Sequence, residues 1–272
     1  MEFDRFRSAN RLRWDGCVDF NLETRDVEGF LTEPGRLTRI VEADRHAVGD
    51  VGGKSLLHLQ CHFGLDTLAW ARLGADATGV DFSPRAIAVA RDLAARAGLG
   101  ARFVEADLYQ TPAVLRAAFD IVYTSGGVLC WLPDIRGWAK VVSSLLRPGG
   151  VFYIREAHPV LWALEDERDD KQLVIGLPYF ETTEPKRWDD DPLWDQARPR
   201  LPHMIHYCWS HGLGEIVTAL IEAGLSIQMF REHEECLWQA LHFMVQGDDG
   251  WWRLPDRRER LPLMYSIRAS KT

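Results

Sequence analysis

From residue 51 to residue 158 the chain alternates short apolar runs with amphipathic stretches. Leu56 to Leu59 reads as a strand, followed by a turn that retains one glycine, Gly64, and by helical spacing over residues 65–73. ATGVDF (77–82) is a second strand and carries Asp81 near its end; Ser83 and Pro84 then supply an N-cap and a first-turn proline for a helix that Gly98 stops. A third strand ends at Asp107, and a short helix is expected over 112–118. FDIVYTS (119–125) forms a fourth strand, a helix runs through Leu146, and RPGG (147–150) turns the chain into a fifth, VFYIREA. Strands and helices alternating at these lengths predict a parallel sheet with crossover helices. Ligands of such sheets sit beyond the carboxyl ends of the strands, where Asp81 and Asp107 both fall.

Outside this stretch the pattern changes. Residues 159–208 are rich in Pro, Asp and Trp, residues 211–223 have helical periodicity, and Gly224 ends them. LSIQMFREHE (225–234) and PLMYSIRAS (262–270) read as a sixth and a seventh strand, with an aromatic and charged insert at 236–261 between them. The expected organisation is one elaborated domain. It has a helical cap segment at 1–50, a core at 51–158, an inserted lid at 159–208, and the rest of the core at 209–272. Loops this long are functional or disordered, and their tryptophans argue against disorder.

Composition narrows the function classes. The net charge is −8 and Lys and Arg are scattered, which weighs against a nucleic-acid substrate. No run of about 18 apolar residues exists to span a membrane, and the charged amino-terminal stretch lacks an apolar signal core. The five cysteines (17, 61, 130, 208, 236) are widely spaced and form no CxxC pair, so reduced thiols in a cytoplasmic protein are expected. His58, Cys61 and His62 suit zinc by ligand type, but no companion cluster has the right spacing, and no metal is expected.

The element order, the acidic strand ends and the late strand pair together resemble the class I S-adenosylmethionine (SAM)-dependent methyltransferases. The resemblance covers residues 50–158 well and 209–270 in outline. It implies a doubly wound, Rossmann-like, seven-stranded, mostly parallel sheet, SAM as cofactor, and a small-molecule acceptor. In that family the loop after the first strand reads acidic-x-Gly-x-Gly-x-Gly; here the same positions hold His58, Gln60, His62 and Gly64. So glycine-poor a turn argues against a dinucleotide oxidoreductase, whose glycines admit a pyrophosphate. SAM carries no phosphate, and its methionine end can use side chains such as Gln60 and His62.

Further roles follow from the resemblance. Asp81 would accept both ribose hydroxyls, Asp107 would take the adenine amino group, and Leu108 and Phe82 would flank the ring. Carbonyls at Ser125 and Gly126 would face the methionine amino group. VLCWLPD (128–134) stands where methyltransferases of quinone biosynthesis often carry a VLHHLPD-like run, with Cys130 and Trp131 in place of the histidine pair.

For catalysis, His158 is the first candidate base because imidazole titrates near neutrality, with Glu156 to orient or replace it. His211, with His206 and Tyr207, ranks second. Of the eleven tryptophans, Trp14, Trp162, Trp188, Trp194, Trp209, Trp251 and Trp252 lie in or beside the non-core regions. Trp14, Trp131 and Trp209 are the expected substrate walls. A lid and an interface between two copies would use the same residues, and both remain open. The rival functions are a non-catalytic SAM-fold binding or regulatory protein, an NAD-dependent oxidoreductase, and a protein methyltransferase with an open acidic groove.

Overall fold

Five parallel strands occupy the first half of the chain: β1 (Ser55–Leu59), β2 (Asp76–Asp81), β3 (Arg102–Glu105), β4 (Phe119–Ser125) and β5 (Leu146–Ala157). The computed structural model describes residues 4–166, 168, 170–182, 184–189, 205–256 and 260–272. The crossovers are α4 (Leu65–Arg72), α5 (Pro84–Ala97), the short α6 (Thr111–Leu115) and α7 (Ile135–Leu145). Ahead of β1 lie three helices, α1 (Asp4–Thr24), α2 (Val27–Thr32) and α3 (Arg39–Val48). After β5 come α8 (Pro159–Trp162), the paired strands β6 (Lys186–Trp188) and β7 (His206–Cys208), and α9 (Leu213–Glu222). The chain closes through β8 (Leu225–His233), β9 (Glu235–Cys236), β10 (Val245–Gln246), β11 (Trp252–Arg253) and β12 (Met264–Lys271).

The main sheet has seven strands in the order β3-β2-β1-β4-β5-β12-β8, with β12 antiparallel to both its neighbours. The strand order reverses between β1 and β4, which opens the crevice where doubly wound sheets bind ligands. Both faces of the sheet are covered, so β1 to β5 read as near-continuous apolar runs. One face packs against Trp138 and Val142 of α7 and Ile216 and Leu220 of α9; the other packs against Trp70, Ile87 and Val41. The expected cap of α5 forms, with Ser83 Oγ accepting from Ala86 N at 3.0 Å and Gly98 left-handed at φ 63°.

Several boundaries differ from the sequence-based expectation, among them α6, which covers Thr111–Leu115 and not 112–118. β3 stops at Glu105, and Asp107 instead caps the turn that follows it. β5 begins at Leu146, so RPGG lies inside the strand, where a register shift against β4 between Phe119 and Ile121 absorbs it. Residues 236–261 were expected as an insert; β9, β10 and β11 pair there as a small sheet over a core of Cys236, Leu241, Trp251 and Leu254. Trp194 and much of the 159–208 segment lie outside the described residues. No described helix is long and apolar enough to cross a membrane.

A buried polar cluster pins the amino-terminal helices to the sheet. Asp44 of α3 has no exposed surface; its Oδ1 accepts from Arg155 Nε at 2.6 Å and Tyr153 Oη at 2.7 Å, and its Oδ2 from Tyr123 Oη at 3.0 Å. Burial pushes the Asp44 carboxyl up, and the Arg155 guanidinium opposes that shift. Removing one partner from a buried pair leaves the other charge uncompensated, which costs about 3–5 kcal/mol. Asp44→Ala is expected to lose that much in urea denaturation, whereas a loss within about 0.5 kcal/mol, as for ordinary surface substitutions, would show the cluster to be incidental.

Candidate active site

The loop after β1 has left-handed backbone at residues that are not glycine. Gln60, His62 and Gly64 all have left-handed φ, at 56°, 50° and 76°. Residues other than glycine hold such angles at a cost of about 1–3 kcal/mol, so the surroundings must enforce them. Asp81, at the end of β2, does so: its Oδ2 accepts from His62 N at 2.8 Å and its Oδ1 from Ser83 N at 2.9 Å. The carboxylate thus joins the β1 loop to the start of α5. Burial pushes its pKa up to about 6, against the backbone N–H bonds that favour the charged form.

Within this loop, Gly64 needs glycine on two counts. Its φ is +76°, and an added Cβ would stand 2.3 Å from Phe103 Cε1. Gln60 and His62 instead contribute side chains. Gln60 Nε2 donates to Val128 O at 3.2 Å, while Gln60 Oε1 and His62 Nε2 are buried with no hydrogen-bond partner among the described residues. Burial pushes the His62 pKa down to about 3, so the ring is neutral. Two unpartnered polar atoms in one loop fit a polar ligand group there, since buried polar atoms are rarely left unpaired.

The remaining positions expected around a cofactor sit along the same edge. Asp107 Oδ1 accepts from Tyr109 N at 2.9 Å, and both its oxygens lie 3.2 Å from Arg7 Nη1 of α1. Leu108 is buried and Phe82 half-buried. Ser125 Oγ lies 3.4 Å from His58 Nε2, whose Nδ1 is 2.9 Å from Thr67 Oγ1. Burial pushes His58 down to about 4, leaving a neutral imidazole beneath the loop. His58, Cys61 and His62 share no ion position: the described His, Cys, Asp and Glu side chains close enough for that are Glu181, His211 and Glu215.

α1 lies across these strand ends. Its Trp14 ring meets His62 and Trp131 edge-on, each at 5.2 Å, and Asn10 bonds both backbone groups of Tyr207 at 2.8 and 2.9 Å. Phe6 packs on Tyr207 and Trp209 at 4.6 and 5.9 Å. Asp15 reaches Ser83 Oγ at the start of α5. Sequence patterning missed Arg7, Asn10 and Asp15, because nothing local in α1 tells which strand ends it will cover.

A small cavity opens beside this edge, under β5 and β12, lined by Cys130, Glu156, Trp209, His211 and Tyr265 among others. Glu156 is 2% exposed; Oε2 accepts from Val128 N at 2.7 Å and Leu129 N at 3.2 Å, and Oε1 from Ala157 N at 2.7 Å. Burial outweighs those bonds and pushes its pKa up to about 7. His158 does not join it. The chain leaves β5 at Ala157, and the His158 ring turns to cap α8, with Nδ1 accepting from Val160 N at 3.1 Å and Nε2 3.1 Å from Glu232 Oε1 of β8. His211 does reach the cavity, its Nε2 2.8 Å from Leu132 O and its Nδ1 3.4 Å from Glu215 Oε2. Trp209 lines the cavity, whereas Trp131 and Trp14 meet edge-on nearer the β1 loop.

Residues 57–154 match a family described as Methyltransferase domain. The chain is 33% identical over 153 residues to the ubiquinone biosynthesis O-methyltransferase of Cronobacter sakazakii, covering 56% of this chain and 58% of that protein. It thus spans little more than half the length of that relative. The namesake from Photorhabdus laumondii is 31% identical over 190 residues, covering 70% of this chain and 72% of that one. In fold, the chain resembles an S-adenosylmethionine-dependent methyltransferase from Mesorhizobium loti, with a TM-score of 0.60 at 22% identity over 86% of this chain and 98% of that one. It also resembles a glycopeptide N-methyltransferase complexed with sinefungin, with a TM-score of 0.57 at 19% identity over 89% and 95% of the two chains.

Gly64→Ala is expected to destabilise the chain by about 1–3 kcal/mol, because a left-handed φ and an overlap with Phe103 coincide there. Thermal unfolding checks this, and an unchanged midpoint would show that the β1 loop has a different conformation.

Proposed function

Because the chain belongs to the class I S-adenosylmethionine-dependent methyltransferases, we propose that it transfers a methyl group from SAM to a small-molecule acceptor. The observation that carries this is the β1 loop: left-handed backbone held by Asp81, with Gln60 Oε1 and His62 Nε2 buried and unpartnered. The relatives' names, which assign O-methylation in ubiquinone biosynthesis, support a small acceptor.

SAM, when bound, supplies an electrophilic methyl group on a sulfonium centre. The chain's residues position, cover and deprotonate. Asp81 spends one lone pair of each oxygen on His62 N and Ser83 N, and the others accept the ribose hydroxyls. Asp107 takes the adenine amino group beside Phe82 and Leu108, and shares its charge with Arg7. Gln60 and His62 would hold the methionine end, together with the backbone of Ser125 and Gly126. α1, with Trp14 over the β1 loop and Asn10 bonded to Tyr207 of β7, forms the lid that keeps water out. A dry site favours a displacement that neutralises charge. Glu156 takes the acceptor's proton in place of His158, whose nitrogens are both engaged.

Calorimetric titration tests the cofactor assignment. SAM and S-adenosylhomocysteine are expected to bind, NADH is not, and Asp81→Asn should weaken both adenosyl ligands about tenfold or more through one lost hydrogen bond and one mispaired N–H. Binding of NADH alone, or of none of the three, would refute it. The pH dependence tests Glu156: the carboxylate form prevails above about 7, so methyl transfer should rise as pH increases through that value. Glu156→Gln should lower the rate and flatten that rise; a Gln variant with the wild-type profile would remove Glu156 as the base.

A further inference from the structure

Glu181, His211 and Glu215 are brought together by tertiary packing. Each offers one ligand atom, and these atoms all lie within 4.8 Å of one another. Glu181 belongs to the segment after α8, His211 precedes α9, and Glu215 stands in the first turn of that helix. Tyr179 seats the segment on the helix, its Oη accepting from Leu213 N at 3.2 Å. His211 is 5% exposed, and its two nitrogens face different groups. Nε2 lies 2.8 Å from Leu132 O, a carbonyl that can only accept, so Nε2 carries a proton. In the neutral ring Nδ1 then holds a lone pair, yet it faces another acceptor, Glu215 Oε2, at 3.4 Å. Glu181 brings a second carboxyl to the same place, pushed up by burial and then by Glu215 beside it. Arg136, whose charge both carboxyls feel, has its Nε at 3.1 Å on Glu222 instead.

We propose that Glu181, His211 and Glu215 form a divalent-cation site that takes zinc and ties residues 170–182 to α9. Lone pairs that face one another are reconciled by a cation between them, and two carboxylates balance its charge. One imidazole nitrogen and two carboxylate oxygens suit zinc, whereas magnesium and calcium prefer oxygen alone. The 3.4 Å between Nδ1 and Oε2 is close to the edge of a zinc tetrahedron, about 3.3 Å for ligand bonds of about 2.0–2.1 Å. The bond from Nε2 to Leu132 O is the kind of outer contact that fixes the ring of a metal-bound histidine and leaves its other nitrogen for the ion. Glu181 is exposed, so water completes the fourth position from that side. The site is independent of the cofactor reading. Sequence spacing hides it, because one ligand comes from a segment that only packing brings to the helix.

The test titrates the full chain, reduced and stripped with a chelator, with zinc chloride and, as control, magnesium chloride. Wild type is expected to bind a single zinc ion, and magnesium about a hundredfold more weakly. Glu181→Gln, at an exposed position where folding is not at stake, should weaken zinc about tenfold or more, and Glu215→Gln likewise. Cobalt(II) in the same site should show visible d–d absorption without thiolate-to-cobalt charge transfer, which tells this site from one built on cysteines. Zinc should also slow tryptic cleavage at Lys171 and Lys186, which flank Glu181, several-fold in wild type and not in Glu181→Gln. No zinc binding by wild type, the result expected if a protonated His211 simply pairs with Glu215, would overturn the proposal. So would a thiolate band, magnesium binding as tight as zinc, or wild-type zinc affinity in both Gln variants. Cleavage unaffected by bound zinc would overturn the tie to α9.

Discussion

The carboxylate of Asp81 is the constraint on which the strand-end edge around the β1 loop depends. It is buried at the end of β2 and pairs with N–H groups from two different connections, the β1 loop and the start of α5. Without it, two non-glycine residues would have little reason to hold left-handed φ, since each forfeits about 1 kcal/mol or more to do so. Strain of that kind persists where the surroundings over-determine a conformation, and it gathers at functional sites. Gln60 and His62 thus bring side chains, two of whose polar atoms are buried and unpartnered among the described residues, to a loop with left-handed backbone.

The same edge is covered from outside by α1, whose side chains reach three parts of it: Asp107 through Arg7, Ser83 through Asp15, and the β1 loop through Trp14. The other end of the amino-terminal segment is anchored by Asp44 in the buried cluster with Arg155, Tyr123 and Tyr153. One end is thus fixed by a desolvated ion pair and the other by partly buried contacts, which are individually weaker. Under the proposed cofactor site, adenine would share Asp107 with Arg7, and that would couple cofactor entry to the position of α1.

Much of the fold was legible in the sequence. Parallel strands buried on both faces leave continuous apolar runs, the caps at Ser83 and Gly98 mark α5, and the acidic strand ends fall where the topology puts ligands. What stayed hidden depended on register and on distant packing. His158 follows Glu156 by two residues, and strand alternation alone would have put both on one face. β5 ends between them, and a proline-led turn seats the imidazole on Glu232 and the edge of Tyr265, on the same face but outside the cavity wall. Tyr265 lies more than a hundred residues from Glu156 in sequence, and only the β5–β12 register makes them neighbours. The Trp131 expectation was drawn from a motif position, yet its ring sits between Trp14 and His206, outside the cavity wall. Boundary errors had a similar origin: Arg-Pro-Gly-Gly reads locally as a turn, but pairing with β4 carries the strand through it.

The most direct test of the cofactor edge is a crystal structure of the complex with S-adenosylhomocysteine. The ribose is expected on Asp81, the adenine amino group on Asp107, and the amino-acid end against Gln60 Oε1 and His62 Nε2, with φ of Gln60 and His62 still left-handed. A ligand bound elsewhere, or bound here with Gln60 and His62 turned away and the loop refolded, would contradict the assignment of these residues to cofactor recognition.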